Sequence, residues 1–107
     1  MALAMLARRD FRGPPPDEAL VARVAAGDEA ALSALYDRHA RAVYSYALAS
    51  LGRQSAAEDV TEAAFTALWH NARRLGRRRP QRRIAELWLM AAAHRAIEDR
   101  LAGSDSA

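Results

Sequence analysis

The stretch Ser55-Ala56-Ala57-Glu58-Asp59-Val60-Thr61-Glu62-Ala63-Ala64-Phe65-Thr66-Ala67-Leu68-Trp69-His70-Asn71-Ala72-Arg73-Arg74-Leu75-Gly76 carries the clearest structural signal in the chain. Ala57, Val60, Ala64, Leu68 and Leu75 recur at steps of three, four and seven, so they share one face of a helix. Phe65 and Trp69, one turn apart, lie beside that face. Ser55 and Glu58 have the spacing of a capping box, in which the serine accepts from the third backbone N–H and the glutamate reaches back. Gly76 closes the segment.

Working outward, the same period continues on both sides. Upstream, Asp28 is predicted to cap a helix that runs to Leu51. Leu32, Leu35, Tyr36, Val43, Ala47 and Leu51 form its core stripe, widened by Tyr44, Tyr46 and Leu48. Gly52 is its stop. The run Gly13-Pro14-Pro15-Pro16 breaks any helix. Asp17 follows as an N-cap, with Glu18 favourable at the positive helix end. A short helix is predicted from Asp17 to Ala26, with Leu20, Val21 and Val24 inward and Gly27 at its end. Downstream, Pro80 forbids helix continuity. A last helix is expected from about Ile84 to Leu101, carrying Leu87, Trp88, Met90, Ala91, Ile97 and Leu101, with Gly103 as its stop. The expected fold is all-α, a compact bundle of one short and three longer helices. Residues 1–16 read as a flexible arm, 17–102 as the domain, and 103–107 as a frayed tail or the start of a linker.

Composition agrees. A chain of 107 residues holds one domain. Hydrophobic residues at 51% supply a core. Val, Ile and Thr are too few for a β-sheet domain. The absence of cysteine removes disulfide scaffolds, thiolate zinc sites and cysteine nucleophiles. No stretch approaches the roughly 20 apolar residues of a membrane span. The N-terminus, apolar first and basic after, reverses the order of a secretory signal. These features point to a cytoplasmic protein without a membrane partner.

The net charge of +3 is unevenly spread. Seven arginines fall between Arg73 and Arg83 with no acid among them. A basic segment on an otherwise acidic domain suits a polyanion partner, and it equally suits a solvated loop shaped by coding bias. His39, His70 and His94 lack metal-ligand spacing. No phosphate loop or activated serine is present. Glu58, Asp59 and Glu62 sit at a helix start, where acids are favourable without any catalysis. The residues predict no enzyme, no metal and no cofactor.

Three motifs in order resemble the extracytoplasmic-function (ECF) sigma factors, sigma-70 region 2 only. The first is Asp17-Glu18-Ala19-Leu20-Val21-Ala22-Arg23-Val24-Ala25-Ala26-Gly27-Asp28, continuing into Leu32 and Leu35-Tyr36-Asp37. The second is Ala57-Glu58-Asp59-Val60 with Phe65, Leu68 and Trp69. It is similar to the family helix that docks on the clamp helices of the RNA polymerase β′ subunit. The third is Trp88-Leu89-Met90, Ala93-His94-Arg95 and Asp99-Arg100-Leu101. It is similar to the helix that reads the promoter −10 element. The likeness runs from about residue 17 to residue 101.

The resemblance implies a transcription initiation module. Asp59, Glu62, Phe65 and Trp69 would dock on core RNA polymerase. Arg77, Arg78, Arg79, Arg82, Arg83, His94, Arg95 and Glu98 would meet promoter DNA, with loop arginines on phosphates and the helix on bases. Trp88 is expected to support that helix by packing. The chain also departs from the family. Glu62-Ala63 stands where Gln-Glu is usual, which implies weaker docking. Arg95 stands where Asn is frequent, and the loop before the last helix is longer and richer in arginine. The family's −35-reading helix-turn-helix domain has no counterpart in these residues, so the sequence reads either as part of a longer sigma factor or as a single-domain relative. The alternative function is a sigma-fold interaction module that binds an anti-sigma factor, or mimics a sigma factor to titrate one, without reading DNA. A third is non-specific nucleic-acid binding through the arginine loop.

Overall fold

A computed structural model describes residues 14–76 and 83–105, without the side chains of residues 104 and 105. Four helices follow one another: α1 (Asp17–Ala25), α2 (Glu29–Leu51), α3 (Gln54–Gly76) and α4 (Ile84–Asp105). No strand occurs among the described residues. The all-α bundle of one short and three long helices is therefore the observed architecture. Each helix packs against all three others, and α3 makes the most extensive contacts.

The stripe on α3 explains its central place. Ala57, Val60, Ala64, Leu68 and Leu75 are all buried, and Phe65 beside them is 5% exposed. Burying apolar surface contributes about 25 cal/mol per Å², and α3 buries nearly its whole inner face. Many of these positions are alanine, which lets helix backbones approach closely. The hydroxyl of Thr61, also buried, donates to the Ala57 carbonyl at 2.8 Å, so no polar group is left unpaired there. From α1 the core receives Leu20, Val21 and Val24, and from α2 it receives Ala31, Leu35, Val43 and Ala47.

Two caps fall where the sequence puts them. Asp28 Oδ1 accepts from the N–H groups of Ala30 at 3.0 Å and Ala31 at 3.2 Å. Gly52 sits at φ 71°, a left-handed conformation that costs side-chain-bearing residues energy, and its N–H closes on the Leu48 carbonyl at 2.8 Å.

Other local readings change. Pro16, not Asp17, is the residue before α1, and its carbonyl accepts from Ala19 and Leu20. Asp17 is thus free to bind across the bundle, to Arg38 at 2.8 Å and His39 at 2.7 Å on α2. Ser55 does not cap α3. The helix begins at Gln54, and the Ala57 N–H donates to the Arg53 carbonyl at 3.0 Å. Gly103 does not stop α4, which runs on to Asp105. Tyr36 is 47% exposed rather than part of the core stripe, and it leans on Phe65 with ring centroids 4.9 Å apart.

The buried face of α4 also differs. Ala85, Leu89, Ala93 and Ile97 form it, a strict four-residue row. Leu87 and Leu101 are 57% and 47% exposed, Ala91 is exposed, and Trp88 and Met90 are half-buried. Leu87 to Met90 are apolar without a break, so periodicity there gives no direction.

Candidate polymerase and nucleic-acid surfaces

An open groove runs along the surface between α2 and α3. Tyr36 and Tyr44 come from α2, and Phe65 and Trp69 from α3. Glu58 and Glu62 stand on the α3 rim, and Arg41 lies on the α2 side. A helix advances 100° per residue, so positions 58, 62, 65 and 69 fall on one strip. Among the described residues, neither Glu58 nor Glu62 has an ion-pair partner. The groove thus combines aromatic surface with uncompensated negative charge.

Three of the four docking candidates, Glu62, Phe65 and Trp69, meet in this groove. Asp59 does not. It lies on the α4 side of α3, where its carboxylate takes the guanidinium of Arg100. Glu58 fills its place on the groove, and the four-residue step from Glu58 to Glu62 is the signal that marks it. Leu32, Ala40, Thr61 and Thr66 complete the lining.

The exposed face of α4 holds the remaining helix candidates. His94, Arg95 and Glu98 are all exposed. His94 and Glu98 lie one turn apart, with Nε2 and Oε1 3.0 Å apart. A carboxylate only accepts, so Nε2 carries a proton, and in the neutral ring Nδ1 accepts from the Tyr46 hydroxyl at 2.7 Å. The Tyr46 and His94 rings run nearly parallel, 12° apart. This pair of contacts fixes His94 at the α2 edge of the face. Arg95 points to the other edge, into a second groove between α3 and α4, beside Trp88, Arg74, Asn71 and Asp99. His94 and Arg95 therefore stand at opposite edges of one exposed surface.

Of the basic run, Arg77, Arg78, Arg79 and Arg82 lie outside the described residues. Arg73 donates to the Ala25 carbonyl at the end of α1, a favourable place for a cation. Arg83 is held by Glu86 through two contacts, at 3.0 and 3.2 Å. That hydrogen-bonded contact lowers the Glu86 carboxyl below its ordinary range and raises Arg83. Trp88 packs against the core cluster while remaining half-buried.

Among the described residues no group of three His, Asp or Glu side chains could hold a metal ion, and no helix is long and apolar enough to cross a membrane. The arrangement offers surfaces for binding, one acidic and aromatic, the other mixed and basic at one edge.

Comparison with known proteins places the chain in a family. The chain belongs to the sigma-70 region 2 family, whose model, Sigma-70 region 2, matches residues 35–106. It is similar to a protein named ECF RNA polymerase sigma factor SigL from three strains of Mycobacterium tuberculosis. Identity is 35% over 81 residues, covering 76% of this chain and 44% of that relative. The chain thus spans less than half the length of the curated relatives it matches. No solved structure matches it.

Proposed function

We propose that this chain is the promoter-engaging module of an ECF-type sigma factor, a transcription initiation domain without catalytic residues or cofactor. In this reading the α2–α3 groove docks on the β′ clamp helices of core RNA polymerase. The exposed face of α4, with the arginine-rich loop before it, holds the opened −10 strand. The family membership and the likeness to SigL support the role in transcription. One observation carries the docking half: Glu62, Phe65 and Trp69, with Glu58, line one groove between α2 and α3. Aromatic residues are enriched in the core of binding interfaces, with polar and charged groups kept to the rim. Basic clamp-helix residues would meet Glu58 and Glu62, while Ala63 contributes no charge. Arg95 would face bases and the loop arginines phosphates. Such a module works in the cytoplasm, with the polymerase.

The test is retention by isolated clamp helices and by core polymerase. Glu58→Arg with Glu62→Arg should abolish retention and leave the helical circular dichroism intact. If the wild-type domain shows no affinity at low salt, the docking reading falls. Capture by an anti-sigma factor would then favour the interaction-module reading.

A further inference from the structure

We infer that the rings of Tyr46 on α2 and His94 on α4 form one platform on which an unpaired nucleobase stacks, which makes Tyr46 a nucleic-acid contact. The two ring planes are 12° apart and their centroids 6.4 Å apart. The Tyr46 hydroxyl and His94 Nδ1 are 2.7 Å apart. Each of these two atoms lies in its own ring plane. Two nearly parallel planes joined by such a bond stand no further apart than about the bond's own length. With centroids 6.4 Å apart, the rings therefore lie side by side and not one over the other. Together they make a continuous aromatic strip that bridges α2 and α4.

The contacts of His94 decide what this strip can do. Tyr46 engages Nδ1, and Glu98 engages Nε2 at 3.0 Å. An imidazole has no third polar atom. With both nitrogens taken, the ring has no edge left to read a base by hydrogen bonds. Its side chain is nonetheless 58% exposed, so what it offers a ligand is the face of the ring. Tyr46 packs against the core cluster and is only half-buried, which fixes its ring and leaves part of it open. The two hydrogen bonds hold the imidazole in one orientation, so a ligand stacking on it immobilises little that was free before.

An unpaired nucleobase is the ligand that fits such a surface. Every base has a π-face, and aromatic side chains hold single strands by stacking with little regard to sequence. The exposed carboxylate of Glu98 beside the imidazole repels a phosphate. The platform therefore takes a base and leaves the backbone to basic groups elsewhere on the face. Arg95 stands at the opposite edge of that face. A single strand crossing α4 would thus rest one base on Tyr46 and His94 and pass Arg95 at the other side. The platform rests on the strand-holding reading above, and it adds to that reading a residue from α2 and a mode of contact.

The test is an abasic scan. A fluorescent single-stranded −10 oligonucleotide, with one base at a time removed, is titrated into the full chain bound to core polymerase. At one position, loss of the base should weaken binding to the parent by about tenfold, the scale of one base–aromatic stack. His94→Ala should weaken the intact strand by a similar factor and show no further loss at that same position. His94→Phe keeps a flat face and should keep both the affinity and the sensitivity to the missing base. Tyr46→Leu keeps the contact with the core without a flat ring and should behave like His94→Ala, whereas Tyr46→Phe should lose less. Losses that simply add at every position overturn the platform, as does a His94→Phe variant as weak as His94→Ala. Parental binding by Tyr46→Leu removes Tyr46 from it. In each of these cases the strand still binds, so the strand-holding reading survives. If no strand binds the parent in the presence of polymerase, that reading fails and the platform falls with it.

Discussion

The guanidinium of Arg100 on α4 bonds the carboxylate of Asp59 on α3, and this contact separates Asp59 from the neighbouring acids of its own helix. Glu58 and Glu62 face α2, while Asp59 joins α3 to α4. The pair is 43% and 61% exposed, so solvent screens it and its contribution is at most about 1 kcal/mol. Asp59→Asn should therefore shift thermal unfolding only slightly, and the shift should shrink further in high salt. A loss of several kcal/mol would mean that the pair is held far more tightly than its exposure implies.

Asp17 is a different case. Its side chain is 15% exposed and accepts from both Arg38 and His39, tying the start of α1 to α2. Asp17→Ala removes two charge-assisted bonds and leaves two half-buried donors without their acceptor. The expected cost is about 2 kcal/mol, or on the order of 10 °C in melting temperature for a domain of this size. Asp17→Asn keeps an acceptor and should lose less. Equal melting temperatures for Asp17→Ala and the parent would refute this role.

Acid stability should depend on Asp28. Its hydrogen bond from Arg23, its backbone bonds from Ala31 and Ala30, and the nearby Arg23 charge hold the carboxyl below its ordinary value. A carboxyl depressed in the folded state stabilises the fold above its unfolded pKa, and that share is lost as pH falls through the folded value. Asp28→Asn can still cap α2 but cannot titrate. Denaturant melts between neutral and strongly acidic pH should show a shallower fall for the variant than for the parent. Parallel curves would rule out a linked Asp28.

How far the sequence revealed the fold varied with local chemistry. On α3 polar and apolar residues alternate cleanly, so the buried stripe was legible. On α2 it was legible except for Tyr36, whose ring lies over Phe65 at the surface. On α4 the unbroken Leu87-Trp88-Leu89-Met90 hides the direction of packing, and the buried Ala85 and Ala93 look no different in sequence from the less buried Ala91, Ala92 and Ala96. The groove was legible in Glu62, Phe65 and Trp69. Glu58 reads in sequence as part of a capping box, and nothing near Asp59 marks its pairing with Arg100, 41 residues away. Pairings of that range leave no periodic trace.

The α4 reversal gives a direct comparison. Leu89 is fully buried, while Leu87, two residues before it, is 57% exposed. Leu89→Ala leaves a cavity in the core and should cost about 2–5 kcal/mol. Leu87→Ala should stay within about 0.5 kcal/mol, as surface changes usually do. Chemical denaturation of the two variants side by side reads the difference. Similar losses would mean that Leu87 packs against the core as much as Leu89 does.

The last prediction concerns Arg83, the one described member of the candidate loop arginines. Its charge is already engaged by the two oxygens of Glu86. An arginine so held offers little to a phosphate until its partner lets go. Arg83 is exposed and Glu86 partly so, so water competes with the pair and release is inexpensive. Glu86→Gln removes the competing charge and frees the guanidinium. If the strand-holding role is right, that variant should bind a fluorescent single-stranded −10 oligonucleotide more tightly in the presence of core polymerase. Its salt dependence should steepen by at most about one phosphate contact. Arg83→Ala should change binding little, because the parent residue contributes little while paired. Arg95→Ala should instead change the ranking of oligonucleotides, since Arg95 stands at the α3 edge of the exposed face without a carboxylate holding it. Acidification gives an independent arm. The paired Glu86 stays ionised to lower pH than an ordinary glutamate, so release of Arg83 by protonation comes only below the usual carboxylate range. A Glu86→Gln variant no tighter than the parent would show that Arg83 does not reach the strand.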